Sequence, residues 1–241
     1  MPRFFVAPFT GDTVTVTGEN AHHIHRVLRM REGENLTLCD SVGTDYLCRI
    51  VTLSDKGVTL QVRERTATAC EPTTAVTLYQ GLPKSDKMEW IIQKSVEIGI
   101  ARIVPVAMAR SVVKLSAAEG EKKQQRWQKI AVGAAQQSGR GCISQVAAPV
   151  SFEEALRQMK TEYTVTFYEG GGQPLSSLVG AQTRQVSMLI GPEGGIDTSE
   201  IERLQQNGAH LATLGKRILR CETAPLVALS VIMQLTENLN L

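Results

Sequence analysis

Apolar and polar positions follow one period before about residue 70 and another after it. In the first part, Thr13-Val14-Thr15-Val16-Thr17 alternates cleanly and residues 2–6 form a second short run. Asn35 to Cys39, Tyr46 to Leu53 and Val58 to Arg65 follow, so five strands are expected. Turns fall at Ser41-Val42-Gly43 and Asp55-Lys56-Gly57. Short strands this closely spaced predict a small β-barrel. Ahead of the third strand, Asn20 is placed to cap a short helix that buries Ile24, Val27 and Leu28 and ends before Gly33. Its other face carries His22, His25, Arg26 and Arg29.

Around residues 66–74 the stretch TATACEPTT loses periodicity, and a boundary there divides the chain into 1–70 and 71–241. Beyond it strands alternate with helices, which predicts an α/β domain built on a parallel sheet. Strands are expected at Ala75 to Gln80, Arg102 to Met108, Thr164 to Tyr168, Val186 to Ile190 and Leu211 to Leu214. Helices are expected at Lys87 to Ile98, ended by Gly99, at Glu119 to Gln137, and at Glu153 to Met159. Another runs from the capping pair Asp197 and Glu200 to Asn207, where Gly208 ends it. Trp127, Ile130, Ala131 and Ala134 form the buried stripe of the long helix. Trp90, Ile91, Lys94, Ser95 and Ile98 share helical spacing, which puts Trp90 in the core rather than on a base-stacking surface.

Three of these strands leave into glycine-rich exits: 169–172, 191–195 and 215–217. Taken alone, each is either an ordinary strand-to-helix turn or a place where backbone approaches a ligand, and three such exits can converge on one pocket. Gly191-Pro192-Glu193-Gly194-Gly195 lacks the Lys-Ser/Thr ending of a phosphate loop and the GxGxxG spacing of a dinucleotide fold. With Glu193 in it, the loop suits a neutral or cationic ligand better than a triphosphate. Arg220 and Glu222 are charges beside an apolar run and need partners or a task.

LIGPEGGIDTSEIE together with LGKRILRCETAPLVAL resembles the C-terminal motif pair of the SPOUT-class RNA methyltransferases, specifically the bacterial small-subunit (16S) ribosomal RNA uridine-N3 methyltransferase family. HHIHRVLRMREGE, LPKSDKMEWIIQKSVEIGIARIVPV and RWQKIAVGAAQQSGR extend the resemblance over essentially the whole chain. It implies a C-terminal α/β-knot domain with a deep trefoil knot over 71–241 and an N-terminal PUA-like RNA-binding β-barrel over 1–70. It also implies S-adenosylmethionine as methyl donor and a homodimer. The implied substrate is 16S ribosomal RNA or the assembled small subunit. One departure stands out: the family usually reads LRTETA, and Cys221 replaces the threonine.

The candidate donor-binding residues are Tyr168 and Glu169; Ile190, Gly191, Pro192, Glu193 and Gly194; Leu214, Gly215, Ile218, Leu219 and Arg220; and Thr223 and Ala224. Methylation of a uridine nitrogen removes the ring N–H proton and builds negative charge on the pyrimidine. Arg220 is the candidate to stabilise that charge, with Glu222 either accepting the proton or orienting its acceptor. The alternative is an Arg220–Glu222 pair that braces the fold. Other positions on RNA, a ribose hydroxyl, or a non-catalytic role in ribosome assembly are the competing functions.

The formal net charge of +2 conceals an asymmetry: residues 82–140 carry eleven Lys and Arg against five acids, and residues 141–241 seven against ten. A basic stretch ahead of the catalytic motifs suits a polyanionic partner. Arg26 and Arg29 are candidate phosphate contacts, as is Arg110 at a strand exit. Arg140, between glycines, either reaches RNA or satisfies a helix C-terminus. His22, His23 and His25 have no Cys or carboxylate at ligand spacing, so no metal site is expected. Five scattered cysteines without a CxxC point to reduced thiols in the cytoplasm. Residues 1–10 hold no signal-peptide core, and no apolar run approaches a membrane span. The final helix, APLVALSVIMQL, is apolar almost all round, with Pro225 in its first turn. Nothing follows Leu241 to cover a second side, so either earlier helices or a partner subunit must do so.

Overall fold

The computed structural model describes residues 1–54 and 56–240. Asp55 of the expected turn and the terminal Leu241 lie outside the described residues. The chain divides into two compact units, one of residues 1–71 with 135–143, the other of residues 72–134 with 144–241.

In the first unit, β1 (Arg3–Phe5), β2 (Thr13–Val16), β3 (Asn35–Cys39), β4 (Thr44–Ser54) and β5 (Gly57–Ala67) form one sheet in the order β1-β3-β4-β5-β2. Only β1 and β3 pair in parallel. Period-two alternation sends Leu36 and Leu38 of β3 and Val58, Leu60 and Val62 of β5 into the core with Phe4 and Ile24. Register shifts at Leu47/Cys48 and Ile50/Thr52 bend the long β4–β5 pair.

The helix after β2 departs from its sequence pattern. Thr17, not Asn20, precedes helix α1 (Gly18–His22), and the Asn20 side chain instead donates to the Phe5 carbonyl at 2.9 Å. The chain then widens into a π-helical turn, His23–Val27, closed by Leu28 N donating to His23 O at 2.9 Å. Bonds to the fifth preceding residue take more residues per turn than an α-helix, so the phase of the apolar stripe slips. Ile24 stays fully buried, while Val27 is 59% and Leu28 42% exposed, against the expectation that both are core.

The second unit carries a wholly parallel sheet. Its elements are β6 (Ala75–Gly81), α2 (Lys87–Ile98), β7 (Arg102–Ala107), α3 (Ala117–Ser138), β8 (Gln145–Val146), β9 (Val150–Ser151), α4 (Phe152–Met159) and β10 (Thr164–Phe167). Then come β11 (Gln173–Pro174), β12 (Gln185–Ile190), α5 (Thr198–Gln206), β13 (His210–Thr213) and α6 (Ala224–Leu235). The strand order is β11-β13-β10-β12-β6-β7-β8, with β9 also on β7. α3 continues from this unit into the first, which takes its residues from Ala135 onward.

The helix punctuation follows the expected chemistry. Gly99 caps α2 in the left-handed region at φ 114°, and Asp197 with Glu200 forms a full capping box on α5. α2 buries Met88, Ile91, Ile92, Ser95 and Val96, a stripe that turns Trp90 outward. Trp90 is therefore 51% exposed instead of core, with Lys94 Nζ 5.3 Å from its ring centroid. α6 buries Pro225, Ala228, Leu229, Ile232 and Met233 and packs against α2, while Val231 is 37% exposed. Earlier elements of the same unit thus cover one side of this helix. Among the described residues no helix is long and apolar enough to cross a membrane.

Candidate functional site

β13, β10 and β12 are consecutive in a parallel sheet, so their exits emerge together at its carboxyl edge. Tyr168 and Glu169 follow β10, Gly191 to Gly195 follow β12, and Leu214 to Arg217 follow β13. With the segment Ile218 to Glu222 they line one cavity of about 420 Å³. This volume falls among those of small-molecule sites, roughly 300–1,000 Å³.

Every donor-site candidate except Gly194 and Thr223 lines this cavity. Gly194 faces away from it: a Cβ there would sit 3.0 Å from the Arg110 Cβ, and its carbonyl accepts from Arg110 Nη1 at 3.2 Å. Gly195 lines the cavity in its place. It lies at φ 72°, and a side chain there would run into the Glu169 carboxylate. Thr223 is exposed at the start of α6, and its amide closes a turn on the Arg220 carbonyl at 2.8 Å. From the other side, Gly81 at the end of β6 has no Cβ and so lets the 191–192 backbone pack closely against it. A Cβ on Gly81 would lie 2.6 Å from both Pro192 N and Cδ.

Arg220 and Glu222 both line the cavity but do not pair. Among the described residues the Arg220 guanidinium has no ion pair, and the residue is exposed. Glu222 is instead held by Lys87, whose Nζ lies 3.1 Å from Glu222 Oε2 and 3.1 Å from Glu193 Oε1. The Cys221 thiol donates to Glu222 Oε2 at 3.2 Å. Burial works to raise the Glu222 carboxyl, but its own backbone N–H, the thiol and the Lys87 ammonium together hold it below the ordinary range. Glu193 is likewise held low against burial, by its own N–H, the Lys84 N–H and Lys87. Burial foremost, then the Glu222 hydrogen bond and carboxylate charge, pushes the Cys221 thiol up to about 12, so it stays a protonated donor.

Lys87 was missed as a site residue. The available signal was a cation at the first residue of a helix, where the dipole disfavours it. Two carboxylates waiting for it resolve the anomaly.

The four arginines expected on RNA meet different fates. Arg26 and Arg29 are both exposed in the first unit, Arg29 in the left-handed region at φ 52°. Arg110, 44% exposed, spends its guanidinium on Asp197 Oδ2 at 3.2 Å and on the Gly194 carbonyl. Arg140, expected to reach RNA or to satisfy a helix C-terminus, is instead buried in the first unit and donates to Glu71 Oε2 at 2.7 Å, so its charge is committed to an ion pair within the fold. Glu71 also accepts from Gly141 N at 2.8 Å and Cys142 N at 3.1 Å. Among the described residues no three His, Cys, Asp or Glu are grouped to hold a metal ion.

Comparison with known proteins bears directly on this cavity. The family model described as RNA methyltransferase domain matches residues 70–233, and that described as RNA methyltransferase PUA domain matches residues 16–63. Ribosomal RNA small subunit methyltransferase E of Bacillus subtilis (strain 168) is 40% identical over 94% of this chain and 92% of its own length. The protein of the same name from Synechocystis is 33% identical over 98% of this chain and 78% of its own. Among solved structures, ribosomal RNA small subunit methyltransferase E from Neisseria gonorrhoeae bound to S-adenosyl methionine superposes with a TM-score of 0.90. It is 32% identical, with 98% of each chain covered.

Proposed function

From the premise that this chain belongs to the RNA methyltransferase family, with its associated PUA domain, we propose that it is an S-adenosylmethionine-dependent methyltransferase acting on N3 of a uridine in 16S ribosomal RNA. The observation that carries this reading is the convergence of three strand exits on one cavity that Arg220 and Glu222 also line.

The residues present fit the donor. Ile190, Leu214 and Leu219 supply apolar lining for a flat base, and Glu169 and Glu193 supply negative charge for a sulfonium. When bound, the donor supplies an activated methyl group. The chain's own task is then to position donor and acceptor and to manage one proton and one charge. Arg220, which makes no ion pair among the described residues, stabilises the negative charge that develops on the pyrimidine as its N3 proton leaves. Glu222, held ionised by Lys87 and Cys221, accepts that proton or orients the water that does.

The same reading assigns residues 1–70 to a PUA-like β-barrel that binds RNA and residues 71–241 to a SPOUT domain closed by a trefoil knot. The family assignment supports both, and the chain's place of work is then the cytoplasm. It also includes a homodimer, supported by the apolar exposed side of α6 around Val231. Incubating the protein with methyl-labelled donor and either naked 16S RNA or small subunits, then identifying the labelled nucleoside by mass spectrometry, tests the function. Label on N3 of a single uridine is expected. Label on a ribose oxygen or another base, or none on either substrate, refutes it.

A further inference from the structure

Lys87 joins parts of the site that are far apart in sequence. Glu193 lies in the exit of β12, Glu222 in the segment leading to α6, and Lys87 at the start of α2, and all three side chains line the cavity. One ammonium stands 3.1 Å from each carboxylate and 3.9 Å from the Cys221 sulfur. Glu193 in turn accepts from Lys84 N at 3.0 Å, which ties the loop ahead of α2 to the same point. The three charged side chains are 21–30% exposed, so substrate and solvent reach them without dissolving the contact. Without the ammonium, two carboxylates that now share one cation would face each other uncompensated.

We propose that Lys87 is a positioning residue that fixes the donor loop to the catalytic segment, through Glu193 on one side and Glu222 on the other. It rests on the assignment of Glu222 and Arg220 made above. Arg220 lies two residues before Glu222, and its carbonyl closes the turn into α6 by accepting from Thr223 N at 2.8 Å and Ala224 N at 2.9 Å. Holding Glu222 therefore also holds the backbone from which the Arg220 guanidinium projects. The groups that face Glu222 are Lys87 from α2, the Cys221 thiol from its own segment and, across the ammonium, Glu193. Lys87 is the one cation among them, so its removal must raise the Glu222 proton affinity.

Glutamate-carboxyl NMR on the donor-free protein reads this directly, in wild type, Lys87→Met, Lys87→Arg and Glu193→Gln. In Lys87→Met the Glu222 signal titrates at higher pH than in wild type and donor affinity by calorimetry falls. The acid limb of kcat moves up with the titration, and kcat drops about tenfold to a hundredfold, the scale of a small misplacement of reacting groups. Lys87→Arg restores all of these toward wild type. Glu193→Gln weakens donor binding and, by leaving the ammonium to Glu222 alone, moves the acid limb of kcat down rather than up, which keeps the proposal testable if Lys87→Met does not fold. An unmoved Glu222 titration in Lys87→Met, no rescue by arginine, or unchanged donor binding in Glu193→Gln overturns it. The NMR titration needs neither donor nor RNA, so a wild type that fails to methylate ribosomal RNA would refute the function and not this contact.

Discussion

Replacing Arg140 with methionine separates a structural arginine from an RNA contact. The change keeps most of the side chain's bulk but leaves the Glu71 carboxylate without its cation. Breaking a buried ion pair from one side costs about 3–5 kcal/mol. Here the Arg140 side chain is 6% exposed but Glu71 24%, and Glu71 keeps two backbone N–H donors, so the lower end of that range applies, about 3 kcal/mol. For a chain of this size, each kcal/mol moves Tm by about 2–4 °C, which gives a loss of about 6–12 °C. Burial works to raise the Glu71 carboxyl, yet Arg140 and the two N–H groups hold it below its unfolded value of 4.5. A depressed carboxylate contributes stability above that value and loses it as pH falls through the folded one. The gap in Tm between wild type and variant should therefore be full at pH 7 and shrink below about pH 4.5. Thermal unfolding by circular dichroism across pH measures it, alongside the salt dependence of ribosomal RNA binding. A Tm within a degree of wild type, with the log–log salt slope reduced by about one, would refute the structural reading and return Arg140 to the RNA surface.

Gly81→Ala forces a Cβ against Pro192 backbone, an overpacking cost of about 1–3 kcal/mol that should appear as about tenfold or more weaker donor binding by calorimetry; unchanged affinity would clear that contact of any role. Arg26→Ala with Arg29→Ala should weaken RNA binding and lower the salt slope by about one per lost phosphate contact, and an unchanged slope assigns both to a solvated face. Val231→Asp should yield a folded monomer in sedimentation where wild type is dimeric; a wild type that sediments as a monomer at micromolar concentration removes the dimer from the account.

The elements of both units were legible in the sequence wherever apolar period and punctuation agreed. α2 begins and ends where its pattern does because Gly99 stops it, and α5 because Asp197 and Glu200 cap it. That three glycine-rich exits can converge on one pocket was legible too, and the strand order β13-β10-β12, which the sequence does not contain, is what brings them to one edge. What failed was phase and partnership. Val27 and Leu28 were misplaced because a π-helical turn has no period of its own in so short a segment. Trp90 was misplaced because five apolar and polar residues at helical spacing fit two adjoining stripes, and packing chose the one through Ile92 and Val96. The partner of Arg140 and the role of Lys87 were missed for a common reason: a charge's partner is fixed by three-dimensional proximity, and Glu71, Glu193 and Glu222 lie far from them in sequence.

The central claim is tested most directly by nucleoside mass spectrometry of 16S ribosomal RNA from a strain lacking this chain. The account predicts that one N3-methyluridine disappears and that the wild-type chain restores it. Arg220→Ala, which removes the group proposed to stabilise the developing charge, an effect of about a hundredfold or more in kcat, should restore it poorly while still binding donor. An N3-methyluridine that persists in the deletion strain, or full restoration by Arg220→Ala, would contradict it.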